Sequence, residues 1–188
     1  NFNYSNAKGV STSSPTPQTP IPFYPTPTEK DYEIGEIQRY FCVKTNQPIY
    51  TEVNKDQYKL FNSNDPSVAF IYYLPISLPW DISGVKKQVY QTNYNITLLT
   101  EKRMRIEGLQ EFLRKDYLKF HKYPQQNDLY TEGGELKNKN NEIYIGWYHV
   151  NETMGPMKGK VHTKTPHDRL YFMEGSDLEA KIVKDISS

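Results

Sequence analysis

The chain has 188 residues, 36% of them hydrophobic, with 16 Tyr, 8 Phe, 2 Trp, one cysteine and a formal net charge of +1. That length suits one domain with an appendage or two small domains, and the even spread of near-neutral charge gives no electrostatic basis for binding nucleic acid or an anionic membrane. No apolar run approaches the ~20 residues of a spanning helix, and the lone thiol, Cys42, forbids an internal disulfide and suits synthesis in a reducing cytoplasm.

Residues 1–30 read as an extended arm. Six of the 13 prolines fall between Pro15 and Pro27. Proline donates no amide hydrogen and pushes the preceding residue out of the helical region, so such a run is polyproline-like and orders only against a surface. The apolar beads on it, Phe2, Tyr4, Val10, Ile21, Phe23 and Tyr24, are what it would press into a neighbour. The arm itself has no charged-then-apolar pattern, so a signal peptide is not expected in it.

Beyond the arm, Ile37, Arg39, Phe41 and Val43 alternate with Glu36, Gln38, Tyr40 and Cys42. That period of two predicts a strand over 36–44, and its resumption at Ile49, Thr51 and Val53 predicts a hairpin partner over 48–53. Asn54 is placed to cap a short helix over KDQYKLF, ending at a turn cluster at 62–66. The most apolar segment, 68–80, reads as a buried strand whose second half is demoted to an edge by Pro75 and Pro79. Helix-like spacing of Leu98, Leu99, Ile106, Leu109, Phe112, Leu113 and Tyr117 predicts helices over roughly 88–103 and 107–120, divided at Gly108. Residues 121–141 read as a polar loop. Strands are expected at 143–150, 159–163 and 169–173, around a Met-Gly-Pro-Met turn. The expected fold is α+β: a small mainly-β domain with one or two short helices and the extended arm. Its parts are an arm (1–30), a core domain (31–128) and a C-terminal β module (129–188).

Catalytic signatures are absent from the sequence. Cys42 sits mid-strand, where a thiol is usually an inert small hydrophobe. There is no Gly-x-Ser-x-Gly elbow, phosphate-cradling loop or dinucleotide fingerprint. His149, His162 and His167 lie within one 19-residue stretch, and imidazoles converging from three strands can bind zinc, iron or nickel. Their spacing is not diagnostic, and hydrogen bonding to backbone within a turn-rich module is the preferred reading, so no metal or other cofactor is expected. Three glycosylation sequons, at Asn3, Asn95 and Asn151, are chance matches in a chain this rich in Asn, Ser and Thr.

Two stretches carry a family likeness. The runs Leu129–Glu135, Ile143–His149 and Gly155–Gly159, followed by His162-Thr163 and Pro166-His167, resemble a module of tailed-bacteriophage virion structural proteins. Pro27–Tyr32, Gly35, Arg39–Phe41, Glu52-Val53 and Tyr58, ahead of Trp80 and Gly84, resemble the same proteins, so the likeness spans roughly 27–175. The family's second histidine, two residues after His149, is Asn151 here. The resemblance implies a non-enzymatic particle component in the neck, tail or baseplate region, assembled in host cytoplasm. Its implied partners are other virion proteins and repeated copies of itself. The contact residues expected are Phe2, Tyr4, Ile21, Phe23, Tyr24, Trp147 and Tyr148. The rival expectations are a secreted or surface-displayed carbohydrate-binding adhesion module and a histidine-based metal protein.

Overall fold

The computed structural model describes residues 15–184. The chain is α+β. In order come α1 (Glu29–Ile34), β1 (Glu36–Lys44), β2 (Tyr50–Val53), α2 (Lys55–Asn62), β3 (Tyr73–Asp81), α3 (Lys86–Met104), α4 (Leu109–Leu113), β4 (Gln126–Thr131), β5 (Leu136–Lys137), β6 (Gly146–Asn151), β7 (Gly155–Lys158), β8 (Tyr171–Phe172) and α5 (Leu178–Lys184). The strands form three small sheets ordered β2-β1-β3, β4-β6-β7 and β5-β8. Residues 15–24 and 40–77 make one compact unit; 25–39 and 78–184 make the other. This partition differs from a division at 30 and 128, because β1 and β3 each begin in one unit and end in the other.

The first unit is built on the expected hairpin, with Tyr40 paired to Val53 and Val43 to Tyr50. Asn54 caps α2 as anticipated: its Oδ1 accepts from the Gln57 amide at 2.8 Å. Phe61 on α2 is buried with Cys42, Val53 and Val68, and stands edge-on to Tyr73 at 6.0 Å. The strand expected over 68–80 begins only at Tyr73, after a 3-10 turn at Phe70–Tyr72. Its regular part is therefore the proline-bearing half. Pro75 and Pro79 are four positions apart, so both missing amides fall on the same edge, and β3 is an outermost strand with an edge to spare.

The arm lies against this unit through its main chain. Gln18 donates to the Ser67 carbonyl at 2.9 Å and accepts from the Ala69 amide at 2.9 Å, a single parallel bridge. The Phe23 amide donates to the Glu52 carbonyl at 2.8 Å, on the outer strand β2.

In the second unit, α1 was not legible as a helix; it is polar and only six residues long, held by a capping box between Thr28 and Asp31 and ended by Gly35 at φ 84°. The interruption expected near Gly108 is real. Arg105 closes α3 in the left-handed region, and α4 starts after Gly108, but it stops at Leu113 and continues as turns to Lys119. Asn93 on α3 is fully buried and binds three main-chain groups. Its Oδ1 accepts from the Asp81 amide at 2.8 Å, and its Nδ2 donates to the carbonyls of Asp81 and Tyr117 at 2.9 and 2.8 Å. Trp80 donates to the Lys119 carbonyl at 3.1 Å and stacks on Tyr117, with the Arg39 guanidinium 4.5 Å from its ring centroid.

Two expectations fail in the C-terminal half. Residues 121–141 hold β4 and β5 rather than a loop; Gln126, Asn127 and Asp128 with a register shift before Leu129 hide the alternation. The strand expected at 159–163 is instead β7, so Gly155-Pro156-Met157 is buried strand, not turn, and α5 follows β8 unannounced. Tyr123, Leu136, Tyr148, Val150, Leu170, Leu178 and Ile182 form the core of this half.

Replacing Asn93 by Ala strands three buried main-chain groups and should cost about 3 kcal/mol in urea unfolding. Thr92→Ala, on the exposed side of the same helix, should stay within about 0.5 kcal/mol.

Candidate functional site

Ile21, Phe23 and Tyr24 are 52%, 42% and 84% exposed. The arm is thus held by backbone atoms while its apolar side chains remain on the surface. Phe2 and Tyr4 lie outside the described residues.

Trp147 and Tyr148 part company, since successive strand residues face opposite ways. Trp147 is partly exposed, with Tyr130 edge-on at 5.3 Å and the Lys160 ammonium 4.2 Å from its ring centroid. A cation on the indole face is favourable in itself and competes with a stacked sugar ring. Tyr148 is 3% exposed within the core, and burial, with a smaller contribution from the Glu135 charge, pushes its hydroxyl up to about 12. The expectation that Tyr148 makes partner contacts is therefore corrected: its ring is already packed.

The structure brings together the three histidines that sequence spacing left undecided. His149 is on the central strand of β4-β6-β7, whereas His162 and His167 lie in the segment between β7 and β8 rather than on strands. Their rings are mutually edge-on, with centroids 5.7, 5.0 and 5.1 Å apart, and one nitrogen from each falls within 4.8 Å of the others. His149 is fully buried and its Nδ1 meets the Gly159 carbonyl at 2.8 Å. A carbonyl only accepts, so Nδ1 carries the hydrogen and Nε2 carries the lone pair. That Nε2 is buried without a hydrogen-bond partner. The Gly159 carbonyl had no signal in the sequence. Asn151, where the resembling family has histidine, accepts from the amides of Thr153 and Met154 at 2.9 and 3.0 Å and closes the β6–β7 turn. His121 stands apart from the three, its Nε2 on the Gly84 carbonyl at 2.8 Å and its ring edge-on to Tyr123; desolvation holds it below the ordinary histidine value.

Cys42 is buried, and burial pushes its thiol from 9.0 up to about 12. Its thiolate population near neutrality is then roughly a thousandth of an ordinary cysteine's, which is unsuited to nucleophilic catalysis.

No family model, curated protein or solved structure matches the chain.

Native protein at pH 8 should carboxymethylate Cys42 at least about a hundredfold more slowly than urea-unfolded protein. Comparable rates would show an accessible, activated thiol.

Proposed function

We propose that this chain is a non-enzymatic structural subunit of a tailed-phage virion, in the neck, tail or baseplate region, that docks on neighbouring subunits through its N-terminal arm. One observation carries the reading. The arm's amides at Gln18 and Phe23 are bound to its own unit while Ile21, Phe23 and Tyr24 stay exposed. A segment pinned through its main chain presents its side chains at low further entropic cost, and exposed aromatics on an ordered backbone are the usual anchors of protein interfaces. The resemblance of residues 27–175 to virion proteins supplies the kind of partner: other particle proteins or further copies of this chain. The raised thiol of Cys42 supports a role without covalent catalysis at that residue.

The triple variant Ile21→Ser, Phe23→Ser, Tyr24→Ser retains every main-chain contact of the arm. Supplied as the sole copy during particle assembly, it should be folded, as judged by near-UV circular dichroism, yet lost from purified particles by at least about tenfold. Normal incorporation would contradict arm-mediated docking.

A further inference from the structure

The strongest unexplained feature among the described residues is the buried, unpartnered Nε2 of His149. A buried acceptor left unsatisfied has given up its water without gaining a hydrogen bond in return. The Gly159 carbonyl takes a hydrogen from Nδ1, but nothing in the surrounding packing uses the second ring nitrogen. The two neighbouring imidazoles offer a reason. His167 Nε2 and His162 Nδ1 are 3.3 Å apart, long for a hydrogen bond between rings. Around a tetrahedral zinc ion with Zn–N of about 2.0–2.1 Å, two ligand nitrogens sit about 3.3–3.4 Å apart. This pair already has that spacing. The full set lies within 4.8 Å, so closing on a shared ion needs shifts of about 1.5 Å or less, within reach of a side-chain rotation.

The backbone places His162 and His167 on a segment without regular structure, where such a shift meets little packing. Residues 159–169 contain no helix or strand, and 160–166 are exposed throughout. Their two ends are tied beneath: Gly159 donates to the Trp147 carbonyl at 3.0 Å and Lys158 to the Asp168 carbonyl at 2.9 Å, while Leu170 donates to Pro156 at 2.9 Å. His162 and His167 thus ride a closed loop, and His149 is the rigid member under it. The Gly159 carbonyl fixes the His149 tautomer so that Nε2 is the ligating atom, the arrangement by which metal-binding histidines are usually oriented.

We propose that His149 Nε2, His162 and His167 bind one divalent transition-metal ion of the zinc class, with water in the fourth position, and that the ion fastens the 159–169 loop to β6. Three neutral imidazoles and no carboxylate select zinc, cobalt, nickel or copper over magnesium or calcium. The site supplies folding energy, since the loop's closure entropy is met by ligation rather than by apolar burial. It is independent of the docking role: a chain that failed to assemble could still bind the ion, and the reverse.

The test uses the full chain, titrated with Zn2+ by calorimetry and with Co2+ as the optical probe. Wild type should take up one ion per chain, give the visible absorption of tetrahedral Co2+ displaced by Zn2+, and unfold at lower temperature once chelated. His162→Asn with His167→Asn changes only loop positions, so it should match chelated wild type in circular dichroism and melting. Its Zn2+ binding should weaken by more than the roughly 10- to 100-fold lost when a ligand's outer hydrogen-bond partner is removed. Folded wild type that takes up no stoichiometric Zn2+ or Co2+ would overturn the site. So would a double variant that binds as well as wild type, or equal loss in His121→Asn.

Discussion

Proline removes amide donors, and a segment rich in it can be ordered only by giving the few that remain to something else. Three of the arm's remaining amides, each directly after a proline, are given to the domain: Gln18 after Pro17, Ile21 after Pro20 and Phe23 after Pro22. Gln18 and Phe23 donate to main-chain carbonyls of the first unit, and Ile21 makes a long 3.4 Å contact to the Gln57 side chain. Because the main chain carries the attachment, the side chains are released from it. One of these contacts also falls on a sheet margin. Phe23 donates to β2, an outer strand of its sheet, and outer strands are where pairing with another chain is a hazard. A strap that occupies a point on that edge while offering apolar side chains elsewhere favours docking through those side chains.

The demand that buried polar groups find partners also separates the two buried side chains that matter most in the second unit. Asn93 meets it fully, with three hydrogen bonds to main-chain groups at Asp81 and Tyr117. It ties the end of β3 and the turn after α4 to α3, and the Trp80–Tyr117 stack packs beside it. His149 meets the demand with one nitrogen only. Within one fold, the satisfied group serves architecture, and the half-satisfied one marks where a ligand belongs.

Much of this fold was legible because local signals agreed. The β1–β2 hairpin followed from period-two alternation, α2 from Asn54 at its cap, and the α3–α4 break from Gly108. Legibility failed where tertiary packing overrode composition. β4 carries Gln126, Asn127 and a left-handed Asp128, so its alternation is broken by a bulge that only pairing with β6 reveals. Pro156 argued for a turn, yet β7 is an outer strand of its sheet and tolerates it. The segment from Val68 looked like strand by hydrophobicity, but the prolines that argued against its second half fit an edge. For the histidines, residue type was informative and spacing was not. Two of them sit in a loop whose path over β6 is set by hydrogen bonds at its ends, and nothing in the intervals 149 to 162 to 167 encodes that path. Trp147 and Tyr148 show the opposite lesson: adjacency in sequence suggested one surface, and strand alternation gave them different ones.

The central claim is that the exposed side of the arm faces another polypeptide in the assembled particle. A photo-crosslinking phenylalanine analogue at Tyr24, 84% exposed, tests it directly when the substituted chain is incorporated and irradiated in the native assembly. The account predicts a discrete adduct to a second polypeptide, identified by mass spectrometry as a particle protein or another copy of this chain. Photoproducts confined to the chain itself, in fully assembled particles, would contradict it and leave the arm as a cover for its own unit.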